Sequence, residues 1–268
     1  MTQTKIDTLY YTLTRGDSPL VAAAIHNGHE VRHDLKDLFY LTPDERLRQE
    51  NPYTGRWANL TDNQIIAYYS RFELDLNRPP EKAVYRKPED AWGLQVWKEE
   101  LPEEMVEESV GRYERFYKDV KQMLTKLVKD HGCLIVYDLH TYNHKPEGPE
   151  GKAADPDENP EVNIGTSNMN REKWAPVVEA LTHSLSSYNY RGRHLDVREN
   201  VKFKGGHFVH WIHDLFGDDV CAMSISFKKF FMDEWTGEPD EIQVHEIKAA
   251  LEQTTKPVLK ALTEVCQV

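Results

Sequence analysis

The sequence predicts an α/β sandwich, and three observations lead there. Short apolar runs suited to buried strands alternate with segments of helical periodicity. The 268 residues suffice to bury a substantial core, as one large α/β domain or two small ones. A composition of 39% hydrophobic and 29% charged residues is that of a globular chain, not a disordered one.

PLVAAAI, from Pro19 to Ile25, reads as a buried strand running into the loop HNGHE. The stretch from Tyr40 to Leu60 reads as polar and irregular, with NPYTG as a turn signal. IIAYYSRFELDL suggests the end of a helix followed by a strand, closed by NRPP. The clearest helix lies within Pro102 to Asp130. There Val106, Val110, Tyr113, Tyr117, Val120, Leu124 and Leu127 recur at three- and four-residue spacing and form one apolar stripe. His131-Gly132 supplies its stop.

CLIVYDLH is a strand apolar enough to be covered on both faces. The Pro-, Gly- and acid-rich segment that follows is expected to form a mobile lid around Lys145 to Pro160. EVNIGTS reads as a short strand, and a helix is expected around Arg171 to Ser187. KFKGGHFVHWIH bends about two glycines, residues 221–233 are strand-like, and Asp240 to Val265 closes the chain as a helix.

Formal charge is −12, from 33 basic and 45 acidic residues. No excess of Lys and Arg is present to displace phosphate counterions, so nucleic acid is not the expected partner. No run approaches membrane-spanning length, and the N-terminus lacks the apolar core of a signal peptide. Cys133, Cys221 and Cys266 are widely spaced and odd in number, which suggests neither a disulfide framework nor a zinc knuckle. A reducing, cytoplasmic setting is the resulting expectation.

Chemistry gathers at the ends of the expected strands. HNGHE places His26, His29 and Glu30 in one loop, and VYDLH places His140 at another strand end with Asp138 two residues earlier. Neighbouring termini of this kind could bring two imidazoles onto one zinc ion, which accepts His nitrogen and carboxylate oxygen and keeps a position for water. With 12 histidines in the chain, chance proximity is also easy. In LDLNRPP, Asn77 and Arg78 follow a strand, and a fixed guanidinium fork suits a carboxylate. Arg71 could hold an oxyanion.

The order HNG, RFELDLNR, DLH, FKGGHF and FKKFFMDE resembles the N-formylglutamate amidohydrolase family, related to zinc carboxypeptidases and aspartoacylases. The resemblance runs from roughly Leu20 to Gly237. It implies a single domain over 1–268, a three-layer α/β/α sandwich with a central mixed sheet, and a zinc ion at the strand ends. His26 and His140 match the first and last metal histidines. Glu50, in QENPYTG, matches an acidic ligand, and His29 is its rival or an additional ligand. Asp138 would stand behind the metal or beside it.

The resemblance further implies that Asn77 and Arg78 bind a substrate carboxylate and that Arg71 stabilises the oxyanion. It places Lys204, Gly205 and Gly206 in a turn near the substrate. His207 and His210 stand where aromatic and arginine side chains are frequent in the family. Ser226 stands where the family has the glutamate that deprotonates metal-bound water, whereas Ser224 reads as strand filler. A hydroxyl cannot replace a carboxylate as proton acceptor at neutral pH. Glu30, Glu73 and Asp138 are the substitute bases in sequence.

Two functions follow. One is a zinc-dependent amidohydrolase acting on a small N-acyl amino acid or peptide with a free carboxylate. The other is a pseudoenzyme or metal-containing binding module, weakened in hydrolysis by Ser226.

Overall fold

A computed structural model describes residues 4–266. Eight strands form one mixed sheet: β1 (Thr4–Asp7), β2 (Tyr11–Arg15), β3 (Leu20–Ala24), β4 (Asn63–Ala67), β5 (Leu134–Tyr142), β6 (Val162–Gly165), β7 (Val197–Glu199) and β8 (Val220–Lys228). Their spatial order is β1-β2-β4-β3-β5-β8-β6-β7. β4, β3, β5 and β8 run parallel, while the β1–β2, β2–β4 and β6–β8 pairs are antiparallel.

The described residues hold six α-helices, α1 (Pro43–Gln49), α2 (Thr54–Ala58), α3 (Glu103–His131), α4 (Ala175–Ser187), α5 (His207–Phe216) and α6 (Glu241–Cys266), of which α2 to α6 pack on the sheet. The strand alternation sorts them into layers. Ala22, Ile135, Tyr137, Met223 and Ile225 meet α2, α4 and α6 on one face. Val21, Leu134, Val136, Val220 and Ala222 meet α3 and α5 on the other. The expected three-layer α/β sandwich is what the chain builds.

The helix read from the stripe at 106–127 spans Glu103–His131, with Gly132 at its C-cap (φ 79°), a left-handed backbone that favours glycine. Several readings need correction. Tyr40 to Leu60 holds α1 and α2: Thr42 and Glu45 form a reciprocal capping box, a local signal that TPDE carries in sequence. IIAYYSRFELDL begins as β4, and no strand follows, because residues 70–79 fold into turns around Asp75. The bend at Gly205-Gly206 leads directly into α5. The strand at 221–233 stops at Lys228, and its tail makes an Asp233-based turn.

The cysteine reading is also overturned. Cys133, just before β5, and Cys266, at the end of α6, are disulfide-bonded across a separation of 133 residues. The fold packs the last turn of α6 against the start of β5, a proximity that spacing along the chain cannot reveal. Cys221 is the buried free thiol. No helix among the described residues is long and apolar enough to cross a membrane.

His213 on α5 pins this layer to the sheet. Its Nδ1–H donates to Asn168 Oδ1 at 2.7 Å and its Nε2 accepts the Ala222 N–H of β8 at 3.1 Å, an arrangement that requires the neutral ring. Burial and the neighbouring His210 push His213 down to about 4. The unfolded chain therefore binds the extra proton between about pH 6.5 and pH 4, so stability is full above that window and falls as pH drops through it. The contribution lost is on the order of 3 kcal/mol. Denaturant unfolding at pH 7 and pH 4.5 should show this loss, and a His213→Gln variant should show a shallower pH slope. An unchanged slope would remove His213 as its source.

Candidate active site

The face of the sheet beneath α3 and α5 changes character along its strands. On β5 the inward positions run Leu134, Val136, Asp138, His140, and on β8 they run Val220, Ala222, Ser224, Ser226. The parallel register sets Asp138 beside Ser224 and His140 beside Ser226. The N-terminal halves of the strands thus build core, and the C-terminal halves end in polar groups. The crevice outside the carboxyl ends of parallel strands is where α/β sheets place their ligands.

A cleft of about 200 Å³ occupies that end of the sheet, lined by His26, Asn51, Arg71, Asn77, Trp92, His140, Thr141, Phe203, Gly205, Gly206, Ser224 and Ser226. Ser224 is therefore part of the cleft wall and not strand filler. An adjoining compartment of about 240 Å³ shares Arg71, Trp92, Thr141 and Phe203 with the first, and adds Arg48, Lys202 and Lys229 among others.

Asp75 organises the floor, although its motif, LDLNR, drew attention only to Asn77 and Arg78. One carboxylate oxygen accepts from His26 Nε2 at 2.7 Å and from the Asn77 N–H at 2.8 Å. The other accepts from Arg71 at 2.7 Å and from the Tyr85 hydroxyl. Burial alone would raise this carboxyl, but Arg71, His26 and Tyr85 together hold it well below its ordinary range. Burial and then the Arg71 charge push His26 down to about 4. His26 is thus a neutral imidazole whose Nε2–H is committed to Asp75, leaving Nδ1 buried without a protein partner.

His140 is held from both sides. Asn51 donates through Nδ2 to the Thr141 carbonyl at 3.0 Å, which turns its oxygen toward His140 Nδ1 at 2.8 Å. That nitrogen must then carry the proton, and Nε2 faces Asp138 Oδ2 at 2.8 Å. The His26 and His140 ring centroids lie 5.2 Å apart.

The other sequence candidates sit as follows. Glu50 is fully buried, accepts from Ser70 and bonds His29 Nδ1 at 2.5 Å; neither Glu50 nor His29 lines the cleft. Arg71 lines it, with Nε buried and without a protein partner. Asn77 lines it too: its Oδ1 accepts the Phe208 N–H at 2.9 Å, leaving the Nδ2 donor for a ligand. Arg78 stands just behind, its Nε 3.7 Å from Asp75 Oδ2 and its guanidinium over Tyr85.

Gly206 lines the cleft because nothing larger fits: a Cβ there would come within 2.4 Å of the Asn77 amide. Gly205, at φ 123°, has the left-handed backbone that the turn requires. Lys204 is exposed and contributes its carbonyl to Ser167. His207 bonds the Tyr113 hydroxyl at 3.0 Å and His210 bonds Ser167 at 2.7 Å, both outside the cleft lining.

Of the substitute bases, Glu73 is spent on Arg32 and Arg112, Glu30 lies outside the cleft lining, and Asp138 faces His140 Nε2 at 2.8 Å. The loop at 145–160 contributes no residue to either compartment. Its base is pinned by Glu234, which accepts the His144 and Lys145 N–H groups.

Among the described residues, no group of three or more His, Cys, Asp or Glu side chains is arranged to hold a metal ion. A catalytic zinc ordinarily takes three protein ligands. The cleft offers the two imidazoles, while Glu50 and His29 are committed to each other.

Comparison with known proteins gives a consistent picture. The N-formylglutamate amidohydrolase family pattern matches residues 18–229. The fold is similar to an N-formylglutamate amidohydrolase from Ralstonia eutropha JMP134, with TM-score 0.70 and 15% identity over 96% of this chain and 98% of that one. It is also similar to a gene product of Agrobacterium tumefaciens, with TM-score 0.66 and 18% identity over 94% and 92% of the two chains. No curated protein matches the sequence.

Proposed function

Because this chain belongs to the N-formylglutamate amidohydrolase family, we propose that its cleft hydrolyses the amide bond of a small N-acyl amino acid or peptide bearing a free carboxylate. The observation that carries the reading is the convergence on one cleft of Arg71, Asn77, His26 and the His140–Asp138 pair.

In this reading the substrate carboxylate lies against the Asn77 amide, with the Arg78 charge behind it. Arg71, held by Asp75, lines the cleft, and its guanidinium stabilises the charge that develops on the amide carbonyl. Water attacks the carbonyl carbon. Its proton passes to the His140–Asp138 pair, which takes it up between Nε2 and Oδ2 from the form in which neither atom carries one, Nδ1–H being fixed by Asn51. The same pair returns a proton to the leaving amine.

For the zinc expected from the sequence, His26 and His140 are the holders the cleft provides, and metal analysis of the purified protein checks that expectation. Removing one oxyanion donor typically costs 10²–10³-fold in turnover. Arg71→Ala should therefore lower kcat for an N-acyl amino acid by about 10²–10³-fold. Unchanged kcat in the folded variant would contradict the assignment.

A second reading is favoured by Ser226 alone: a binding module in which the cleft recognises the same carboxylate-bearing amide but turns it over weakly.

A further inference from the structure

Large aromatic rings are ordinarily covered, yet two stand open at this cleft. Trp92 is 58% exposed and Phe203 is 41% exposed. Both border the central cleft and the adjoining compartment, so they stand where the two spaces meet.

Neither ring is loosely placed. Trp92 has a left-handed backbone at φ 55°, directly after the turn Pro88–Ala91. The Arg71 and Arg78 guanidinium carbons lie 4.8 and 5.5 Å from its ring, and the Tyr85 ring meets it edge-on at 6.0 Å. The Phe203 backbone is clamped by buried Asn163, which donates to its carbonyl at 2.7 Å and accepts its N–H at 3.3 Å. The Phe203 ring meets Tyr142 edge-on at 5.5 Å. Rigid, exposed aromatic surface beside a polar site is surface for a ligand. Little conformational freedom is lost when it is covered.

We infer that Trp92 and Phe203 form an aromatic mouth that selects a substrate whose acyl group is apolar or aromatic. The inference rests on the amidohydrolase reading of the same cleft. Arg71 gives the direction: the carbonyl it polarises carries the acyl group, and the Trp92 ring lies against the same guanidinium. The group attached to that carbonyl therefore meets the aromatic wall. A formyl hydrogen would leave both rings uncovered. A phenyl ring has room, since a cavity of about 150 Å³ accommodates benzene and the compartment behind the mouth is about 240 Å³.

The test compares N-formylglycine with N-benzoylglycine, using calorimetry for affinity and amine release for turnover, on the wild-type protein and a Trp92→Ala/Phe203→Ala double variant. Trp92→Phe serves as the conservative control. N-Benzoylglycine should bind the wild type about 10–100-fold more tightly than N-formylglycine, the range expected when apolar groups fill a fitted pocket. The double variant should lose most of that ratio and Trp92→Phe should keep it. Equal affinities in the wild type, failure of N-benzoylglycine to bind, or a ratio that survives the double substitution would overturn the mouth. Preferential binding without amine release would support the mouth and remove the hydrolase reading. Amine release from both compounds without preference would do the reverse.

Discussion

Replacing Ser226 with glutamate is expected to raise amide hydrolysis by up to about 10²–10⁴-fold, the usual contribution of a positioned general base, because the carboxylate takes over proton acceptance from the His140–Asp138 pair. Ser226 is buried on β8, lines the cleft and is the register partner of His140 on β5. Paired residues of parallel strands project to the same face, so a glutamate at 226 would place its carboxylate in the cleft beside the His140 ring. The space of about 200 Å³ in front of these strand ends accommodates the longer side chain. A serine hydroxyl is no proton acceptor at neutral pH, whereas an ionised glutamate accepts the water proton as the attack proceeds. Amine release by Ser226→Glu and the wild type checks this, with affinity for the N-acyl amino acid remaining similar. If a folded Ser226→Glu protein is no faster, proton acceptance by the His140–Asp138 pair does not limit the reaction.

Asp75→Ala is expected to destabilise the fold by about 3–5 kcal/mol, the cost of leaving a buried charge without its partner. Asp75 is fully buried and receives His26, Arg71, Tyr85 and the Asn77 N–H. Removing it leaves the largely buried Arg71 guanidinium and the His26 Nε2–H without their acceptor. Denaturant midpoints measure the loss. Asp75→Asn should be milder, because an amide keeps one acceptor for these donors while giving up the charge. A loss below about 1 kcal/mol for Asp75→Ala would mean that water or neighbouring groups replace the carboxylate.

The layers of the fold were legible because long periodic or apolar segments overdetermine their elements. The stripe at 106–127 could only be a helix, and CLIVYDLH could only be buried strand. Shorter elements were lost where tertiary partners define them. Residues 70–79 look strand-like, yet wrap around Asp75 because its carboxylate gathers donors from four directions. The capping box at Thr42 is a local signal that the polar composition around NPYTG masks.

In the site, motif order brought His26, Arg71, Asn77, His140 and Ser226 to one cleft. It did not find Asp75, whose role exists only once His26, Arg71 and Tyr85 surround it. Nor did it find Asn51 behind His140, or the exposed rings of Trp92 and Phe203. The Glu50–His29 pair, two residues with the chemistry of metal ligands, is bonded side chain to side chain outside the cleft lining.

The claim at the centre of this account is that the cleft recognises an amide through its carboxylate and cleaves it. The most direct measurement is amine release from an N-acyl amino acid compared with its C-terminally amidated counterpart, on the same metal-analysed preparation. Asn77 and Arg78 predict that the free acid is cleaved and that capping its carboxylate lowers kcat/KM by at least tenfold, about 1.4 kcal/mol. Equal rates on the two compounds, or no release from either, would contradict it.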